Sequence, residues 1–326
     1  MPKKRKLTIT HLREILRRQA PPKWGAHYEA GIRANREEAP SLSRASQLWS
    51  ESLGRYVHAL SSIETKAAML ALWNPSLFEL HEQRMLAMEP APHPLSGHPR
   101  ADGRTFPPLQ GTIAVADRLD LLTCHPSLRY RHPELGEQIV ATPIFGDLLL
   151  FLEDAYGPYC VNWSVKKADE DFSRSISLAR RVRNPEKDLA KATSRHAIEA
   201  LFHSDADIRT VRVVSKNIPD AFAHNLRTLF LHQRRPAVDE AIETEMVDRI
   251  SVSLQTNTPP HSILLSMVRR RGCTYEVLRH LLFFCLWKRR VKADLFGQAL
   301  LLDLPLRAEK VDPFKHYANF FSREEA

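Results

Sequence analysis

The stretch from Asp147 to Lys167, DLLLFLEDAYGPYCVNWSVKK, constrains the fold of this chain more than any other. Leu148 to Leu152 is an apolar run. The turn-forming residues Glu153 to Pro158 follow, then a run from Tyr159 to Val165 rich in aromatic and β-branched residues, closed by two lysines. Two such runs about a Gly/Pro turn predict a β-hairpin. With Glu153 opposite Cys160, Asp147 falls opposite Lys166, and directly opposed residues share a face. Alternate residues of a strand face opposite sides, so Lys167 belongs to the other face. A carboxylate and an ammonium are then neighbours at the open end of an apolar hairpin. They are either a structural ion pair or the metal ligand and catalytic lysine of a nuclease.

The 326 residues are enough for two domains, and 43% hydrophobic content builds ordinary cores. A net charge of +9 and a pI near 9.5 favour a polyanionic partner, nucleic acid before a membrane surface. Cys124, Cys160, Cys273 and Cys285 form no CxxC pair, so free thiols in a reducing, cytoplasmic compartment are expected. The longest strongly apolar run, Leu281 to Trp287, is too short to span a bilayer, and no membrane partner is expected. The N-terminal MPKKRKL lacks an apolar stretch after it and reads as a disordered basic arm, not a secretory signal.

Residues 1–50 are expected to be this arm with a short basic helix over Leu7 to Arg18. Residues 51–232 read as one α/β domain. Its helix, Ser61 to Trp73, carries Ile63, Ala67, Leu70 and Ala71 at helical spacing and stops at Asn74-Pro75. A strand is expected over Phe78 to Met88, and the aperiodic Pro/Gly/His-rich residues 90–140 read as a long surface insertion. Cys124, His125 and His132 within it lack zinc-site spacing, which favours loop packing. Gly146 before Asp147 predicts a bulge. Helices over Asp169 to Arg183 and Lys191 to His203, a strand over Ile208 to Val214 and a helix over Pro219 to Leu231 complete the domain. Residues 233–326 read as three helices, the third capped by Thr274, followed by a small hairpin around Phe296-Gly297, a winged-helix pattern. Its basic third helix and wing, with Arg279, Lys288, Arg289, Arg290 and Lys292, are the candidates for binding DNA or a protein partner.

Phosphodiester hydrolysis needs a metal to polarise the phosphoryl oxygen and supply hydroxide. Hard divalent ions prefer carboxylate and carbonyl oxygens, and a lysine can orient the attacking water. Asp147 and Lys166 supply two members of that set. Glu64 is the candidate third, although Ser61-Ser62-Ile63-Glu64 also reads as a capping box. Glu82 and Gln83, at a strand end, are a second carboxylate–amide option, with a solvated strand end as the bland alternative.

In their order along the chain, Gly54-Arg55, Leu60-Ser61, Glu64, Glu82-Gln83, Asp147 and Val165-Lys166 resemble the TnsA-type transposon endonucleases over roughly residues 54–230, and more weakly beyond. The resemblance implies a restriction-endonuclease-like nuclease domain followed by a small winged-helix domain. It implies a Glu–Asp–Lys site in which Glu64, Asp147 and Lys166 are catalytic. Glu64, Asp147 and the Val165 carbonyl would hold Mg2+, for which Mn2+ can substitute. Ser164 stands two before the lysine, where Glu or Gln is usual, so a second metal lacks an obvious ligand. The implied activity is cleavage near the 5′ ends of a transposon, on double-stranded DNA, beside a transposase subunit that cuts and joins the 3′ ends and an ATPase regulator. The implied setting is the bacterial cytoplasm, at the nucleoid during transposition. The rival readings are a non-catalytic DNA-binding or assembly subunit and a stand-alone restriction-type nuclease.

Overall fold

Strands β3 (Leu77–Glu82), β6 (Leu148–Asp154), β7 (Gly157–Lys166) and β8 (Arg209–Val214) form one mixed sheet in the order β3-β6-β7-β8. It belongs to a computed structural model that describes residues 7–20, 22–40, 44–173 and 185–324. The basic residues 1–6 and most of the helix expected over 169–183 lie outside the described residues. Two compact units are present, residues 1–217 with 319–326, and residues 218–318.

In the first unit, α1 (Ile9–Gln19) starts at Thr8, whose hydroxyl accepts from His11 N, and ends with Arg17 and Arg18 near its negative dipole end. Arg18 is buried in an ion pair with Glu38 at 3.0 Å, so this helix is tied down and is no loose arm. The hairpin β1 (Ser46–Ser50) and β2 (Arg55–Ala59) precedes α2 (Ser62–Trp73). Ile63 and the run Ala67 to Trp73 are buried, so α2 is apolar nearly all round, as a core helix must be. It packs on β3 and β7.

The hairpin β6–β7 is present, but its turn is only Ala155-Tyr156, with Gly157 at φ +104. Leu148 pairs with Trp163 and Glu153 with Pro158. This register differs by two residues from the expected one and places Asp147 against Ser164. The reason is the tight turn: Asp154 Oδ1 accepts from Tyr156 N at 2.8 Å, so the strands run on into residues read as loop. A two-residue offset preserves the face. The only shift in the β3–β6 register lies between Leu77 and Glu79, not at Gly146.

Helix α4 (Pro185–Ser204) carries the chain from β7 to the parallel β8. Its Ile198 and Phe202 pack with Leu149, Phe151 and Cys160 on one face of the sheet. Leu95, Leu109, Val115 and Ala116 join the same core. Residues 90–140 are therefore not merely a surface loop. They contain α3 (Thr112–Arg118) and, with residue 141, the ribbon β4 (Ser127–His132) and β5 (Gly136–Ala141). Their core residues are irregularly spaced, which leaves no period in the sequence. His125 is held by the Thr112 hydroxyl at 3.0 Å, and its loop-packing role stands.

The second unit comprises α5 (Asp220–Phe230), α6 (Glu240–Thr256), α7 (Pro260–Arg271), α8 (Tyr275–Trp287) and the short α9 (Pro313–His316). Its boundary precedes α5, not residue 233, because Asn225 and Phe222 of α5 hold the segment 295–300. Asn225 Nδ2 donates to the Leu295 and Gln298 carbonyls, and Phe222 stacks on Phe296 at 4.6 Å. Strands around Phe296-Gly297 are not formed. Asp294 accepts from the backbone of Phe296 and Gly297, which turns the chain, and pairing is confined to a bridge between Ala293 and Ala308. No helix among the described residues is long and apolar enough to cross a membrane.

Arg55 is the electrostatic pivot under β3. It pairs with Glu82 at 2.9 Å and Glu79 at 3.7 Å, and all three are buried. Burial raises both carboxyl pKa values, against the pull of Arg55. Replacing Arg55 by Leu leaves two buried, uncompensated carboxylates, and we expect a loss of about 3–5 kcal/mol in urea unfolding. The loss should be larger at pH 8 than at pH 5, where the carboxyls can take up protons. A near-neutral change at both pH values contradicts this account.

Candidate functional site

Asp147 sits one residue before β6, and Lys166 is the last residue of β7. Asp147 Oδ2 accepts from Val165 N at 2.7 Å and from Lys166 Nζ at 2.8 Å. Lys166 Nζ also donates to the Val165 carbonyl at 2.9 Å. One ammonium thus bridges two oxygens from different strands. The expected neighbours do meet, diagonally and not as an opposed pair. Burial alone would lower the Lys166 pKa, but the charge and hydrogen bond of Asp147 outweigh it and hold the ammonium protonated. Lys167 is exposed.

Glu64 enters from the first turn of α2. Ser61 caps that helix, its hydroxyl accepting from Glu64 N at 3.2 Å and donating to Glu64 Oε1 at 2.8 Å. Glu64 Oε2 accepts from Leu60 N and from Gln83 Nε2, both at 2.9 Å. The cap is real, yet the carboxylate reaches past Ser61 N to Leu60 N and towards the sheet. Gln83 N in turn donates to the Asp147 carbonyl at 3.0 Å. Gln83 therefore joins the two candidate acids. Burial first, and then the Asp147 charge, raise the Glu64 pKa to about 7.

The secondary candidates divide. Gln83 belongs to the site. Glu82 is fully buried and occupied by Arg55 and by His58 N at 3.0 Å, so it is neither a solvated strand end nor available. Ser164 is buried, and its Oγ has no hydrogen-bond partner among the described residues. Sequence reasoning missed Glu199 of α4. It is buried, accepts from Asn162 Nδ2 at 3.1 Å and adds its charge to the field at Lys166. Burial would raise its pKa, but the His196 ring and the charges of Arg195 and Lys166 hold it down at about 2. The signals were an asparagine within the apolar run Tyr159 to Val165 and an acid inside the Ile198–Phe202 stripe.

The basic set of the second unit lies differently from expectation. Helix α8 is buried at Leu278 and from Leu281 through Trp287, so it is the core of its unit and not a solvent-facing basic helix. Arg279 pairs with Glu276 at 2.9 Å. Arg289 is committed to Glu309 at 2.8 Å and Asp312 at 3.1 Å, and Arg290 to Glu243. Lys288 and Lys292 are exposed.

The donors that converge near Asp147 are two carboxylates and a backbone carbonyl, all hard oxygen ligands suited to Mg2+ or Mn2+. Lys166 Nζ already touches an oxygen of Asp147 and the Val165 carbonyl, as a cation would. Among the described residues no cluster of three or more His, Cys, Asp or Glu side chains suits a metal, so any ion here relies on the carbonyl and on water. Compared with known proteins, the chain matches no family model and no curated sequence.

The raised Glu64 pKa has a thermodynamic sign. A carboxyl raised in the folded state contributes stability that is full below its unfolded pKa and is lost as pH rises through about 7. Glu64→Gln removes that dependence, because an amide can retain the Leu60 and Gln83 bonds without charge. We expect the variant to match the wild type near pH 4 and to exceed it in urea midpoint at pH 8. A difference that does not change with pH overturns the raised Glu64 pKa.

Proposed function

We propose that this chain is a metal-dependent DNA endonuclease, the subunit of a heteromeric transposase that cuts near the 5′ ends of the element. The observation that carries the reading is the meeting of Glu64, Gln83, Asp147 and Lys166 at one end of a mixed sheet. Four separate elements bring them there, in the order in which the resemblance expects them. A helix bearing Glu64, a strand ending Glu82-Gln83, a strand led by Asp147 and a strand ending Val165-Lys166 precede a crossover helix and a parallel strand. That order supports a restriction-endonuclease-like first unit. The three helices α6 to α8 support a winged-helix second unit, whereas the buried α8 and the single bridge weigh against it.

On this reading Glu64, Asp147 and the Val165 carbonyl hold Mg2+, which supplies Lewis acidity and a metal-activated nucleophile when bound. Gln83 and Leu60 N fix the Glu64 carboxylate. Val165 N fixes Asp147. Lys166 balances the Asp147 charge and would offer its ammonium to the attacking water or the scissile phosphate. A Glu64 that protonates near neutral pH makes metal affinity rise with pH through about 7, since binding must displace that proton. The partners implied are double-stranded DNA at the transposon ends, a transposase subunit acting on the 3′ ends, and an ATPase regulator.

The rival, a non-catalytic DNA-binding or assembly subunit, draws on the closed Lys166–Asp147 pair, which needs no metal to be satisfied. Magnesium-dependent nicking of end-containing DNA, measured with and without partner proteins, separates the readings. Asp147→Ala and Lys166→Ala should each reduce single-turnover cleavage by about 10²-fold or more. Lys167→Ala should retain the rate and weaken DNA binding slightly, with a salt slope shallower by about one phosphate contact. An active Lys166→Ala beside an inactive Lys167→Ala assigns the lysine roles the other way round. Nicking unaffected by Asp147→Ala removes the site altogether.

A further inference from the structure

Gln19, Tyr28 and Gly31 lie beside the backbone that leaves β3. Tyr28 Oη donates to the Glu82 carbonyl at 2.8 Å, Gly31 N donates to the Gln83 carbonyl at 3.1 Å, and Met85 N donates to Gln19 Oε1 at 3.0 Å. Tyr28 is anchored by stacking on His81 at 3.9 Å. Within this clasp Gln83 adopts φ +48, a left-handed conformation uncommon for a residue with a long side chain. Such a backbone persists only where its surroundings enforce it, and it clusters at functional sites. Here the enforcement is two-sided. Asp147 O holds Gln83 N, and Gly31 N holds Gln83 O.

Gly31 is needed for that approach. A Cβ on it would lie 2.6 Å from Phe145 Cε1 and 2.7 Å from the Gln83 carbonyl oxygen. Any larger residue would push the Gln83 peptide away, and a return to negative φ redirects the Cα–Cβ bond whose amide now reaches Glu64.

We propose that Gly31 and Gln83 are positioning residues of the candidate site. The N-terminal segment locks Gln83 in its left-handed backbone so that the side-chain amide fixes the Glu64 carboxylate beside Asp147. The ligand so prepared for is a hard divalent cation. The clasp itself stands on the contacts above; only the cation rests on the endonuclease reading.

The test uses the full-length protein labelled with 15N-glutamine, without metal, and the Gln83 side-chain amide resonance assigned by its loss in Gln83→Ala. Glu64→Ala and Gly31→Ala should each move that resonance towards the position of a solvated amide. A resonance unmoved by Gly31→Ala overturns the clasp, and one unmoved by Glu64→Ala overturns the contact it serves. Should Gly31→Ala fail to fold, Tyr28→Phe, which loses the bond to the Glu82 carbonyl and the long one from Gln19 Nε2, takes its place with the same expectation. Mn2+ affinity is then measured by electron paramagnetic resonance. Gln83→Ala and Gly31→Ala should weaken it about 10-fold, the usual scale for a residue that orients a ligand. Affinity kept within about twofold overturns the positioning role. A wild type that neither binds Mn2+ nor cleaves DNA defeats the endonuclease reading and the cation assignment, while the amide resonance still decides the clasp.

Discussion

Asp147 ties together the three strands that end beside it. Its side chain takes the Val165 N–H and the Lys166 ammonium from β7, and its carbonyl takes the Gln83 N–H from the end of β3. The β3–β6 register runs on past Asp147 to the bridge between Met85 and Phe145, whereas the β6–β7 ladder ends at Leu148 and Trp163, where the Val165 N–H needs another acceptor. The Asp147 side chain supplies it and closes that end of the ladder. Because it does so with a single carboxylate oxygen, Oδ2, it leaves Oδ1 without a partner in these contacts, and the charge that raises the Glu64 pKa remains in place.

Two acid-rich clusters involve the end of β3, and the contrast between them separates structure from chemistry. Glu79 and Glu82 share Arg55, and Glu82 takes a backbone N–H as well, so these carboxylates are satisfied by the fold. Glu64 has three hydrogen-bond donors but no cation of its own, and it faces another carboxylate. Lys166 is committed to Asp147, and Glu199 adds further negative charge behind it. An acid satisfied by arginine has little to offer an incoming cation. A buried acid with no arginine of its own, such as Glu64, has more.

The parity of the β6–β7 hairpin was legible in the sequence and its register was not. Alternation between apolar runs places Asp147 and Lys166 on one face under any even offset, whereas the offset itself depends on how tightly Asp154 to Gly157 turn. Helices α2 and α8 were legible because an apolar run follows a cap, at Ser61 and at Thr274, and α5 to α7 from composition and apolar patterning alone, since none has a side-chain cap. The core within residues 90–140 was hidden, since Leu95, Leu109 and Val115 are set by an irregular path and follow no period. Gln83 was legible as a strand-end polar residue, but its left-handed backbone is imposed by Gly31, more than fifty residues away in the chain, and no local pattern records it.

Charge was the least transferable sequence signal. The excess of +9 points to a polyanion, yet many of the arginines are spent internally. Arg18 is bound to Glu38, Arg118 to Asp205, Arg289 to Glu309 and Asp312, and Arg323 to Asp154. Exposed cations near the candidate site include Lys167 just after β7, Arg212 opposite Ser164 on β8, and Arg195 on α4, whose charge acts on Lys166 and Glu199. Arg212 lies over the Phe172 ring at 5.0 Å, and Lys166 approaches the same ring at 5.9 Å. On the proposed reading, phosphate attraction at the cutting site comes from this rim and not from a basic helix elsewhere in the chain. Rim charges of this kind raise association rates and salt sensitivity more than they fix sequence, because they meet phosphates and not base edges. On that reading, the choice of a DNA site would rest on other surfaces of the chain.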